Sequence, residues 1–118
     1  MNDLLQWLYD WGVEVPGGHE DVLRVYVDEH PEIELAIQAA VRYVKADLCP
    51  DRLILKTSYD PEDDCSSPLL VVGRDDWDED ALAVVADAPR RYLGLIEHTS
   101  AWLLVIPWWM GHSDATDR

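Results

Sequence analysis

Between Arg52 and Arg74 the chain reads RLILKTSYDPEDDCSSPLLVVGR. Two apolar runs, Leu53–Thr57 and Leu69–Val72, flank a polar segment that cannot continue a strand. The first run alternates: Leu53, Leu55, Thr57 and Tyr59 point one way, and Ile54, Lys56 and Ser58 the other. Lys56 and Ser58 make that second face partly wet. Leu69-Leu70-Val71-Val72 is apolar throughout, which suits burial on both sides. Pro61 lacks an N–H and biases Asp60 towards an extended or turn conformation. The stretch is predicted to be a β-hairpin, with arms 53–59 and 68–73 paired antiparallel. Its loop exceeds the two-residue type, so register must come from the strand faces.

The rest of the chain is read as helices around that hairpin and one further strand. Leu4, Leu5, Leu8 and Trp11, with Trp7, form a helical stripe over Asn2 to Trp11 that Gly12 ends. Pro16-Gly17-Gly18 is a loop; no Gly-Lys-Ser/Thr follows, so it is not a phosphate loop. Residues 20–29 carry signals for both helix and strand; Val22, Leu23 and Tyr26, opening on Glu20 and Asp21, favour the helix. After Pro31, Ile33, Ile37, Ala40, Val41, Val44 and Leu48 recur at three and four, until Cys49-Pro50 stops them. Leu82, Val85, Tyr92 and Ile96 follow one stripe that Pro89 should kink or split near Asp87. Residues 101–106 are predicted as a third strand limited by Pro107. A helical crossover lets it run parallel to the second arm. Placed beside the first arm, it completes a small antiparallel sheet of order 2-1-3, covered on one face by helices in an α+β layer. Residues 1–110 are expected to form one domain, with 111–118 a frayed polar tail.

Charge narrows the function classes. The 118 residues hold 24 acids against 9 bases, a formal net charge of -15. Phosphate backbones and anionic membranes are repelled, so neither nucleic acid nor membrane is an expected partner, whereas a basic protein is. Nearly half the residues are hydrophobic, so the acidity does not imply disorder. No apolar run is long enough to span a bilayer, and MNDLLQWLYDW lacks the basic region of a signal peptide. A cytosolic setting follows. Cys49 and Cys65 fall at opposite ends of the first arm, roughly 20 Å apart, too far for a disulfide.

DPEDD between two apolar arms, an acidic helix start, and SAWLLVIP together resemble a group of small uncharacterised bacterial proteins. Those carry a similar Asp-Pro-Glu hairpin and a late Trp-Leu-Leu-Val strand. The resemblance covers the last two-thirds of the chain. It departs where the group's strand ends in Thr-Asp-Phe and this chain has Ile106-Pro107-Trp108. It implies a bacterial cytosolic setting and no activity.

Two ends of the hairpin carry candidate chemistry. The tip gathers Asp60, Glu62, Asp63 and Asp64 with Cys65, Ser66 and Ser67, and the later helix should bring Glu97, His98, Thr99 and Ser100 near. Clustered carboxylates suit a hard cation, but the spacing is not an EF-hand's, so no metal is expected. A Cys65–His98 nucleophile is opposed by surrounding acids, which raise a thiol's pKa. His19, His30 and His112 lack metal-ligand spacing and read as surface or capping residues. At the other end lie Asp75, Asp76, Trp77, Asp78, Glu79 and Asp80, with Trp108 and Trp109. Acids there are explained locally by the helix dipole. With tryptophans beside them they also form a candidate partner-binding group. The six tryptophans are otherwise read as mostly core. No cofactor is indicated. The leading expectation is a non-enzymatic acidic interaction module. It would neutralise a basic partner in the manner of an immunity protein or antitoxin, or mimic nucleic-acid charge. The alternatives are a metal-dependent hydrolase or other enzyme using the tip carboxylates and His98, and a structural homo-oligomer.

Overall fold

In the computed structural model, residues 2–62 and 65–109 are described. Helix α1 (Asn2–Asp10) leads into a short strand β1 (Val13–Glu14) and a 3-10 turn at Gly17–His19. Helices α2 (Glu20–Glu29) and α3 (Ile33–Leu48) follow, then the hairpin strands β2 (Arg52–Asp60) and β3 (Cys65–Arg74). Helices α4 (Glu79–Asp87) and α5 (Pro89–Ile96) precede the last strand, β4 (Leu104–Trp109). The α+β class, the antiparallel arms, the helix at 20–29 and the break before Pro89 match the sequence reading.

Sheet order departs from it. The strands lie in the order β1-β2-β3-β4. β4 pairs parallel with β3, Leu69 beside Leu104 and Arg74 beside Trp109. It is therefore next to the second arm, not the first, and the sheet is mixed. The predicted direction holds; the predicted neighbour does not. The place beside the first arm is taken by Val13-Glu14, paired parallel with Leu53 and Ile54. Two residues carry no strand periodicity, so the sequence reading assigns no element there. The last strand also begins later than predicted, at Leu104, and runs through Pro107. As an edge strand, β4 tolerates a residue that cannot donate.

The hairpin pairing reaches nearer the tip than predicted, to Asp60 opposite Cys65. Pro68 lies inside it, opposite Thr57. This is tolerated because β4 starts only at the level of Leu69, so the other side of β3 is open there. Asp63, Asp64, His112 and the predicted tail 111–118 lie outside the described residues.

The core lies on one face of the sheet. Leu53, Leu55, Leu70 and Val72 join Leu4, Leu8, Leu23, Ile37, Val41, Val44, Tyr92 and Ile96 in one buried cluster. Their alternation along β2 and β3 is what puts them on the same side. Val71 is only 7% exposed, yet it stands outside that cluster, as do Ile54, Leu69, Leu104 and Ile106. Those residues occupy the opposite face, which no helix of the cluster covers. Leu70, Val71 and Val72 are nonetheless all buried, as the apolar run implies, and Leu69 is half-buried.

Local signals set the element ends. Asp78 is extended and its Oδ1 accepts from the Ala81 N–H at 2.7 Å, the ordinary N-cap contact for α4. Gly12, at φ 78, turns the chain out of α1 in a left-handed conformation that suits glycine. Cys49 ends α3 in the same region, at φ 49 and ψ 60. It is exposed and unbridged. His19 does more than the capping or surface role expected of it. Its Nδ1 accepts the Thr57 N–H at 3.1 Å and lies 2.9 Å from Thr57 Oγ1. It thereby satisfies the outer edge of β2 beyond the reach of the two-residue β1.

Candidate interaction site

Strand alternation decides which predicted site residues meet. Trp109 stands on the helix side of β4, and its ring lies 5.8 Å from that of Trp77, tilted by 47°. Trp77 is half-buried against the core, and its indole N–H donates to the Trp108 carbonyl at 3.0 Å. The Arg74 guanidinium also lies over Trp77, 5.5 Å from its ring centroid. The Trp108 side chain, one residue earlier, points to the opposite face. There it meets Arg52, whose guanidinium is 5.4 Å from its centroid. The predicted group is thus brought to one end of the sheet but divided between its two faces.

Asp75, Asp76, Asp78, Glu79 and Asp80 are all exposed beside the Trp77–Trp109 pair. The Asp75 N–H donates to Asp51 Oδ2 at 3.1 Å, which ties the start of this acidic segment to the turn before β2. Asp78 is committed to its helix cap. Asp75, Asp76, Glu79 and Asp80 remain as exposed carboxylates flanking Trp77 in the chain. Such a surface can attract a cationic side chain and offer Trp109, 38% exposed, as an apolar contact.

Arg52 holds the site to the far side of the sheet. It donates from Nε and Nη2 to the two carboxylate oxygens of Glu14 at 2.8 and 2.6 Å. These bonds depress the Glu14 carboxyl below its ordinary range, against a smaller opposing effect of desolvation. The forked pair joins β1 to β2 where β1 is too short to do much by backbone pairing alone.

His98 is exposed, with its Nε2 3.5 Å from Glu97 Oε1, its sequence neighbour. Thr99 Oγ1 is spent on the Ile96 carbonyl and the Ala101 N–H. Asp63 and Asp64, central to the tip reading, lie outside the described residues. No group of three His, Cys, Asp or Glu among those described is placed to hold a metal ion. No described helix is long and apolar enough to cross a membrane.

The aromatic residues were misjudged in one respect. None of the six tryptophans belongs to the fully buried set, although Trp7, Trp11 and Trp77 pack against it. Trp7 stacks on Trp11 at 5.0 Å, and Arg42 lies 5.4 Å from the Trp7 centroid. Lys45 donates to the Trp11 carbonyl. Asp10, Trp11, Arg42, Lys45 and Ala46 line a wide, open hollow there that the sequence did not signal. Arg91 completes the pattern, 4.6 Å from the Tyr43 centroid. Four arginines thus rest on aromatic faces. The missed signal was the excess of Trp and Arg in a chain otherwise poor in bases.

Comparison with protein-family models, curated proteins and solved structures finds no match to this chain.

Proposed function

We propose that this protein is a non-enzymatic interaction module that engages a basic protein through the Asp75–Asp80 segment and the adjoining Trp77–Trp109 pair. The observation that carries the reading is the placement of an exposed acidic run beside two tryptophans from distant parts of the chain, their rings 5.8 Å apart. A net charge of -15 speeds encounter with a cation-rich surface. Screening at physiological salt limits that field to about 8 Å, so the local run governs the bound state. Trp109 supplies apolar contact, which charge alone lacks. Neutralisation of a basic effector, as by an immunity protein or antitoxin, fits this surface. So does mimicry of nucleic-acid charge. The proposal includes a bacterial cytoplasmic setting, in which the exposed Cys49 thiol stays reduced.

The test is titration of the full chain against arginine-rich and lysine-rich proteins at rising salt. Binding should weaken steadily as salt rises. Joint replacement Asp75→Asn, Asp76→Asn and Trp109→Ala should weaken it at least tenfold. Glu62→Gln, Asp63→Asn and Asp64→Asn together should change it less than threefold. Equal losses from both sets would mean a diffuse field without a site, and binding indifferent to salt would remove acidity from the explanation.

A further inference from the structure

The hollow between the end of α1 and the second half of α3 has a charge opposite to that of the chain as a whole. It holds about 570 Å³ and is lined by Asp10, Trp11, Arg42, Lys45 and Ala46. That volume is in the range of small-molecule sites. The chain has 9 bases against 24 acids, and two of the nine meet here. A spacing of three puts Arg42 and Lys45 on one face of α3. The lining is otherwise mostly apolar.

Both bases are held in place, and both keep donors to spare. Arg42 lies over Trp7, which is itself stacked on Trp11. Its guanidinium carries five N–H donors, and no described residue accepts a hydrogen bond from them. Lys45 gives one of its three donors to the Trp11 carbonyl. It does so close against Gly12, where a Cβ would stand 3.3 Å from Nζ. Asp10, the acid of the lining, takes a hydrogen bond from Gln6 at 2.9 Å and forms an ion pair with neither base.

We infer that this hollow binds a small aromatic monocarboxylate. The two bases select an anion. The guanidinium fork of Arg42 matches a carboxylate, which can take two parallel N–H bonds from it. The surroundings select a single charge, because Asp10 and the net charge of -15 oppose a dianion more strongly than a monoanion. The apolar part of the lining, with Trp11 and Ala46, selects a planar apolar body. The hollow shares no residue with the Asp75–Asp80 segment or the Trp77–Trp109 pair, so this inference and the proposed function stand or fall separately.

Titration of the isotope-labelled full chain with naphthoate, followed by NMR, tests the inference. A saturable shift centred on the indole N–H signals of Trp7 and Trp11 and the backbone signals of Gly12 and Lys45 is expected. Naphthamide, which has the same shape without the charge, should bind at least tenfold more weakly. Acetate should do likewise, and naphthyl phosphate should bind at least threefold more weakly. Arg42→Gln should weaken naphthoate binding at least fivefold. Lys45→Gln, which keeps a donor for the Trp11 carbonyl, should weaken it at least threefold, with circular dichroism to confirm that both variants fold. Equal binding of naphthoate and naphthamide would overturn the anion, and equal binding of acetate the aromatic body. Tighter binding of naphthyl phosphate would overturn the single charge. No saturable shift at these residues, or one indifferent to Arg42→Gln, would overturn the inference.

Discussion

The guanidinium of Arg52 lies 5.4 Å from the centre of the Trp108 ring, although β3 runs between their strands. The contact is possible because the residue between them is Gly73, with no side chain to stand in the way. On its other side Arg52 forks onto Glu14. One side chain therefore ties together the edges of a sheet whose first strand has only two residues.

Arg52→Lys should loosen that tie, because an ammonium cannot reproduce both the fork and the stack. The Glu14 carboxyl, held below its ordinary 4.5 by the fork, should titrate closer to that value. Since its folded pKa is depressed, its contribution to stability is present above the unfolded value and is lost as pH falls through the folded one. Carboxyl titration by NMR with acid unfolding in parallel measures both effects. An unchanged Glu14 titration would contradict the prediction.

Tyr92 should resist ionisation. Its side chain is almost fully buried, its hydroxyl donates to the Leu103 carbonyl at 2.7 Å, and burial pushes its pKa up to about 12. With the folded pKa raised, its contribution is complete below the unfolded value near 10 and falls away as pH rises from there towards 12. Absorbance titration should find Tyr92 ionising late together with unfolding, alongside Tyr9, whose pKa is raised by its hydrogen bond to Glu20. Tyr92→Phe orphans the Leu103 carbonyl and should cost about 1–3 kcal/mol in urea denaturation.

Asp78 and its acidic neighbours should separate by phenotype. Loss of the cap in Asp78→Ala should cost about 1 kcal/mol of stability. Asp75→Ala and Asp76→Ala, exposed and outside α4, should cost under about 0.5 kcal/mol while affecting binding to a basic protein. Thermal melts of the three variants suffice.

Cys49 occupies a backbone region that favours glycine, at φ 49. Cys49→Gly should therefore stabilise the chain by up to about 1 kcal/mol, despite the greater freedom of glycine when unfolded. A lower denaturation midpoint would count against it.

Sequence alone determined most of the elements, because helix and strand periods are local. The three-and-four spacing from Ile33 to Leu48, the alternation from Leu53 to Tyr59 and the break at Pro89 each sit within a few residues of what they specify. It also located an acidic run with a tryptophan inside it. Tertiary structure decided the neighbours. Nothing local in Val13-Glu14 marks a strand; it exists because β2 has an open edge and Arg52 reaches Glu14. Nor does any local pattern say which arm β4 joins, since a crossover strand parallel to the second arm can lie on either side of the hairpin. The core settled it by placing Val105 against the helices beside Leu70. That choice put Trp109 with Trp77 and left Trp108 to Arg52 across Gly73. Residues adjacent in the chain were sent to opposite faces because the strand period is two, and residues some 30 to 55 apart were joined because only packing carries information over that distance.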